Sequence, residues 1–207
     1  MRVLGLSKQS DSLAPNTGAH EGLLNLPNLL TVVRILLIPV FVVLFYTPTP
    51  GRSLAAAFVF GVAASTDWLD GYLARRHGQI TRLGRLLDPI ADKLLVLSGL
   101  ILLVQFQQVS ALVALLLIAR EVVVTGVRAI AAAEGIILSA ETTGKYKMVA
   151  QVVAIVFLIL ANGGLPPIVN FHLIGSVFLY LALVLALLSG GQYLVHFWKQ
   201  VSADKAG

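Results

Sequence analysis

The chain has no cysteine, which excludes disulfides and thiolate metal sites. Charge is scarce too. Only 12% of residues are Asp, Glu, Lys or Arg, about half the share of an ordinary soluble domain. The four histidines, His20, His77, His172 and His196, are scattered without partners at ligand spacing, and no chemistry is assigned to them. No polar stretch is long enough for a soluble domain of useful size. Residues 1–21 lack the basic head and apolar core of a signal peptide and read as a polar cytosolic tail.

What is present is apolar. Of 207 residues 57% are hydrophobic, and the mean hydropathy is +0.89. This composition predicts an all-α integral membrane protein with one domain over residues 22–200 and a short C-terminal tail at 201–207. Six segments, near 29–47, 54–75, 86–106, 110–132, 146–162 and 171–197, are apolar enough to be transmembrane helices. A bilayer core of ~30 Å needs about 20 helical residues per span. Helices are expected because lipid leaves backbone amides no partner outside the segment. Turn residues separate the spans: TPTPG at 47–51, HGQ at 77–79, QQVS at 107–110 and NGGLPP at 162–167. Residues 22–28 read either as a short amphipathic interfacial segment or as an extension of the first helix. Ala57, Gly61 and Ser65 form a small-residue stripe that would let a neighbouring helix approach. Trp68 and Trp198, near span ends, read as interfacial anchors.

The net charge of +5 reports topology and contact with anionic lipid, and implies no nucleic-acid partner. Arg75, Arg76, Arg82 and Arg85 lie between spans two and three, and Lys145 and Lys147 between four and five. Lys199 and Lys205 follow the last span, whereas the opposite loops hold only Arg52. By the positive-inside rule, both termini and the ends of spans two and three that meet at this loop face the cytosol.

That end carries four aspartates: Asp67, Asp70, Asp88 and Asp92. Each carboxylate placed in a bilayer costs about 2.5–3.5 kcal/mol on insertion scales, so packing alone does not account for four. Asp67 and Asp70 share one helix face, followed on that face by Gly71 and Ala74, which leave room beside the charge. Asp88 and Asp92 share a face at the start of span three, where Pro89 fits a first helical turn. Two antiparallel helices joined by a short loop bring both acidic faces to one site. An all-oxygen donor set without His or Cys suits Mg²⁺ or Mn²⁺, and four acids can hold two such ions, a common arrangement for displacement at phosphorus. The plain alternative is salt bridging of these acids to Arg75, Arg76, Arg85 and Lys93.

These residues fill the pattern Asp-x2-Asp-Gly-x2-Ala-Arg-x8-Gly-x3-Asp-x3-Asp, from Asp67 through Gly84 to Asp92, without a gap. The chain therefore resembles the CDP-alcohol phosphotransferase family, six-helical integral enzymes that depend on divalent metal. The segments NLPNLLTVVRILLIPVFVVLFY at 25–46, AREVVVTGVRAIAAAEG at 119–135 and GKYKMVAQ at 144–151 resemble its phosphatidylglycerophosphate synthase branch. Met148 departs from it, standing where that branch often has threonine. Residues 152–207 are generic apolar helix. The resemblance implies CDP-diacylglycerol as donor, sn-glycerol 3-phosphate as acceptor, and phosphatidylglycerophosphate and CMP as products. It implies Asp92 as general base, the other aspartates mainly as metal ligands, a homodimer, and a bacterial cytoplasmic membrane.

Further residues then take expected roles. Asn28, Thr31 and Arg34 share a face of the first span and, with Gly71, Ala74 and Arg75, would line a pocket for cytidine and pyrophosphate. The plain readings are a helix cap for Asn28 and snorkelling for Arg34. Arg120, Arg128 and Lys145 are expected to contact the acceptor phosphate. Glu121 would pair with one of these arginines or with an arginine elsewhere, and Lys147 reads equally well as an interfacial anchor. Two alternatives stand beside this reading: the same chemistry with inositol phosphate or phosphatidylglycerol as acceptor, and a divalent-cation transporter.

Overall fold

The computed structural model describes residues 26–77, 82–134, 142–163 and 169–204. Six helices account for them: α1 (Leu26–Tyr46), α2 (Pro50–His77), α3 (Arg82–Gln105), α4 (Ala111–Ala133), α5 (Thr142–Asn162) and α6 (Phe171–Asp204). Each corresponds to one expected span, and no strand occurs among the described residues. Leu26, Pro27 and Asn28 belong to α1, so that part of the approach segment extends the helix; residues 22–25 lie outside the described residues. The α3–α4 turn passes through Gln107 at φ 59°, a left-handed conformation that lets the chain reverse within a few residues.

The helices present apolar side chains outward as well as inward. Leu36, Val43, Phe58, Val122, Val149 and Val184 are all exposed, as lipid-facing residues must be in a protein whose solvent is hydrocarbon. By length and composition Leu29–Tyr46, Gly144–Asn162 and Phe171–Gln200 can each cross a membrane. In α4 the charges of Arg120, Glu121 and Arg128 interrupt the apolar run. With 34 residues α6 is about 51 Å long at 1.5 Å per residue, so it outruns the hydrocarbon core. The chain is an all-helical integral membrane protein.

The interior is built around α1, α2, α3 and α5. Phe41 stacks on Phe45 at 5.9 Å and meets Phe60 edge-on at 5.2 Å, while Phe45 meets Phe106 edge-on at 5.2 Å. These rings join α1, α2 and the end of α3. Leu100 and Leu103 of α3 belong to the same core as Ile155, Leu158 and Ile159 of α5. α5 also packs closely along α6: a Cβ at Gly175 would lie 2.7 Å from the Leu158 Cγ. The aromatic half of the bundle leaves the other end, where α1 and α3 begin and α2 finishes, for polar residues.

Two local expectations are corrected. α3 starts at Arg82, so Pro89 lies beyond its first turn and its missing amide removes one internal hydrogen bond. The stripe of Ala57, Gly61 and Ser65 receives no helix at its centre, since a Cβ at Gly61 would meet nothing within 4 Å. The buried face of α2 is instead set by Ser53, Ala56, Phe60 and Ala63, with Ala57 at its margin, because the bulky Phe60 takes the core position.

Candidate active site

Arg34 is fully buried nine residues into α1. Its Nε donates to the Ala63 carbonyl and to Thr66 Oγ1 of α2, both at 3.3 Å. Its Nη1 donates to Asp92 Oδ1 of α3 at 2.5 Å. One guanidinium thus joins three helices and sets the orientation of the last aspartate of the acidic motif. Arg34 does not snorkel; its cation is held inside by groups that need it. Thr31, one turn earlier on the same face, is equally buried. Asp92 has an ion-pair partner in Arg34, a cation outside the four named as candidates; the side chains of Arg75, Arg76 and Arg85 lie outside the described residues. Of those four, Lys93 donates instead to Thr125 Oγ1 of α4 at 2.7 Å.

A second polar network ties α4 to α5 and α6. Arg120 donates from Nε to the Ala186 carbonyl at 3.0 Å, from Nη2 to Ser189 Oγ at 2.6 Å and from Nη1 to Glu121 Oε1 at 3.0 Å. Gly190 lets this arginine pass close to α6, since a Cβ there would lie 3.2 Å from the Arg120 Cγ. The same Glu121 oxygen pairs with the ammonium of Lys147 from α5. Lys147 is therefore buried and ion-paired, which overturns its reading as an interfacial anchor. Glu121 pairs with its neighbouring arginine and with a lysine of another helix. Arg128, two turns beyond Arg120, lies over the ring of Tyr193 with its guanidinium carbon 4.7 Å from the centroid. Its Nη2 also donates to the Tyr193 hydroxyl at 2.7 Å. Three of the five N–H donors of Arg120 are engaged by protein, so two remain for a ligand.

Both networks open on one cavity of about 370 Å³ between α3, α4 and α5. Its polar lining comprises Asp92, Lys93, Arg120, Glu121, Arg128, Lys145, Lys147 and Gln151. Five cations face two carboxylates, a formal surplus of three positive charges. The deeper wall is apolar, with Val96, Leu100 and Leu117. The volume lies near the small end of ligand pockets, about 300–1,000 Å³. Such a space suits a small polyanion beside a carboxylate that can take a proton.

The expected residues thus divide into groups. Asp92 shares the cavity with Arg120, Arg128 and Lys145, the last exposed at its rim. Thr31 and Arg34 stand apart from this lining, both buried, with Arg34 at the α1 contact with α2 and α3. The side chains of Asn28, Asp67, Asp70, Gly71, Ala74, Arg75 and Asp88 lie outside the described residues; α1, α2 and α3 carry them at the same end as Asp92. No cluster of three metal-ligating side chains occurs among the described residues, which include only Asp92 of the four aspartates. The donor chemistry fits a hard divalent cation, because every motif ligand is a carboxylate.

Sequence reasoning left Lys147 open between an acceptor contact and an interfacial anchor, and missed Gln151, Ser189 and Tyr193. For Lys147 and Gln151 a signal existed. Lys147, Ala150, Gln151, Ala154, Ile155 and Leu158 recur at helical spacing and form the buried face of α5. Ser189 and Tyr193 share the buried stripe of α6 with Leu179, Ala182 and Ala186, but as isolated polar side chains they gave no sign of a site.

Residues 24–188 match the family model described as CDP-alcohol phosphatidyltransferase. The chain is 46% identical over 187 residues to a Pseudomonas fluorescens protein named CDP-diacylglycerol–glycerol-3-phosphate 3-phosphatidyltransferase, covering 87% of this chain and 94% of that one. A Bacillus subtilis protein of the same name is 38% identical over 196 residues, covering 87% of this chain and 98% of the relative. One from Shigella flexneri serotype 5b is 41% identical over 174 residues, covering 82% and 93%. With the acidic motif filled, six helices in place and the match spanning most of its length, the chain belongs to the CDP-alcohol phosphatidyltransferase family.

Proposed function

We propose that this protein transfers the phosphatidyl group of CDP-diacylglycerol to sn-glycerol 3-phosphate, giving phosphatidylglycerophosphate and CMP. The observation that carries this reading is the shared cavity, which sets Asp92 beside a surplus of cationic side chains. A phosphorylated acceptor needs that surplus, whereas its attacking hydroxyl needs a nearby base. The names of the bacterial relatives support the same donor and acceptor.

In this mechanism Arg120, Arg128, Lys145 and Lys147 receive the acceptor phosphate, arginine offering paired donors and lysine point charges. Asp92, its orientation held by Arg34, accepts the proton of the primary hydroxyl. The hydroxyl oxygen forms a bond to the phosphorus that bears the diacylglycerol, and the bond from that phosphorus to the CMP oxygen breaks. Asn28, Thr31, Gly71, Ala74 and Arg75 line the nucleotide half of the site, and Arg34 acts through Asp92. Asp67, Asp70, Asp88 and Asp92 would hold two Mg²⁺ or Mn²⁺ ions, which when bound offset charge on the pyrophosphate and on departing CMP.

The catalytic unit spans residues 22–200. The active site and both termini face the cytosol of a bacterial cell, in a homodimer within the cytoplasmic membrane; the arginine-rich loop after α2 supports this orientation. The test is CMP release by purified protein from CDP-diacylglycerol with Mg²⁺ and a panel of acceptors. Glycerol 3-phosphate should be used at least tenfold more efficiently than inositol phosphate or phosphatidylglycerol, and chelation of the metal should stop turnover. Preference for either other acceptor would overturn the assignment.

A further inference from the structure

Gln151 is almost fully buried at 3% exposure and lines the cavity that holds Asp92. Its Nε2 has no hydrogen-bond partner among the described residues. That is unusual, because nearly all buried polar side-chain atoms in folded proteins are paired, and an exception needs a reason. The surroundings offer none. Gln151 lies one turn deeper along α5 than Lys147, about 6 Å by helix rise, at the level where Leu100 and Leu117 make the wall apolar. The other polar groups of the lining are engaged with protein or stand at the rim. Lys93 is held by Thr125, Arg128 by Tyr193, and Lys147 by Glu121, whereas Lys145 is exposed. A buried amide donor left unpaired in the wall of a small cavity is available to a ligand that enters it.

We infer that Gln151 recognises the secondary hydroxyl of the acceptor, and so selects a glycerol phosphate over phosphorylated alcohols that lack it. This inference rests on the reading of the acceptor above. A glycerol phosphate has three polar regions. The phosphate meets the cations, the attacking primary hydroxyl meets Asp92, and the secondary hydroxyl is left for the remaining unpaired polar side chain. A neutral amide suits a neutral hydroxyl. The hydroxyl both donates and accepts, so it can pair with either end of the amide. A site built to hydrogen-bond a hydroxyl discriminates against analogues lacking it far better than an apolar pocket can.

The test compares kcat/KM for sn-glycerol 3-phosphate and for 3-hydroxypropyl phosphate, which keeps the reactive primary hydroxyl and lacks the secondary one. The wild-type protein should favour glycerol 3-phosphate by about tenfold to a hundredfold, the range for one hydrogen bond in a water-poor site. Gln151→Met, similar in length and without polar atoms, should bring that ratio close to one. Gln151→Glu keeps an oxygen that can accept from the hydroxyl. It should retain a ratio well above one even if its charge weakens both acceptors together. The unliganded melting temperature of Gln151→Met should not fall, because a buried donor without a partner is being replaced by an apolar group. A ratio that persists in Gln151→Met would overturn the inference and leave the acceptor reading intact. A wild-type ratio near one would do the same. Failure of the wild-type protein to use glycerol 3-phosphate while it turns over inositol phosphate would overturn both.

Discussion

Replacing Arg34 by methionine tests whether the aspartate that takes the proton is held in place from another helix. The side chain is fully buried and Asp92 is 28% exposed, so the variant withdraws a buried cation from a mostly enclosed carboxylate. It also removes the donors to Ala63 and Thr66 that tie α1 to α2. Breaking a buried pair by removing one partner costs about 3–5 kcal/mol. The partial exposure of Asp92 puts this case near the lower end, at roughly 3 kcal/mol. For a chain of this size each kcal/mol moves the midpoint by about 2–4 °C, so the melting temperature in detergent should fall by roughly 6–12 °C. A base displaced by about 1 Å loses on the order of a hundredfold in rate. The expectation is therefore a hundredfold lower kcat in CMP release, with KM for CDP-diacylglycerol within about threefold of wild type. If the melting temperature and kcat held while KM for the donor rose tenfold, Arg34 would be a nucleotide contact. The positioning argument would then be refuted.

Three further changes separate the remaining roles. Asp92→Asn keeps an oxygen for Arg34 to donate to and removes the base. Turnover should drop about 10²–10⁴-fold and the melting temperature should fall, because the fully buried Arg34 loses this counter-charge, while binding of CDP-diacylglycerol holds, as judged by melting curves and donor titration. Glu121→Gln strips Lys147 and Arg120 of their shared counter-charge, so the melting temperature should fall and KM for the acceptor should rise about tenfold. Adding Lys147→Met should restore the melting temperature but not the KM, and recovery of both would remove Lys147 from the acceptor site. At Gly175 a Cβ would lie 2.7 Å from the Leu158 Cγ and 3.0 Å from its backbone nitrogen. Gly175→Ala should therefore destabilise by about 1–3 kcal/mol, with partial rescue by Leu158→Ala in the same chain.

Much of this was legible in the sequence because a membrane restricts the choices. Hydrocarbon permits only long apolar helices here, so the spans could be read to within a few residues; α6 alone runs well past its expected end, through Asp204. The aspartate spacing and the clearing at Gly71 and Ala74 pointed to a site without any coordinates. What escaped was pairing between helices. Nothing in the order of residues says that Arg34 of α1 reaches Asp92 of α3, because that depends on how three helices cross. Lys147 stayed open between two readings because a lysine near a span end usually reaches for the interface, whereas here its face of α5 is the buried one. The contribution of α6 was invisible for another reason: Ser189 and Tyr193 each offer a single hydroxyl in a mostly apolar helix. Gln151 could have been found from its spacing to Lys147, but only the structure reveals that its amide is left without a partner.

The most direct test follows the acceptor atoms into the product. Purified protein would be given CDP-diacylglycerol, Mg²⁺ and sn-glycerol 3-phosphate labelled in its carbon skeleton. The account predicts label in the lipid phase as a phosphomonoester-bearing lipid, formed one for one with CMP and absent in Asp92→Asn. Release of CMP with the label left in water would contradict it, since the donor would then be hydrolysed and not transferred to glycerol 3-phosphate.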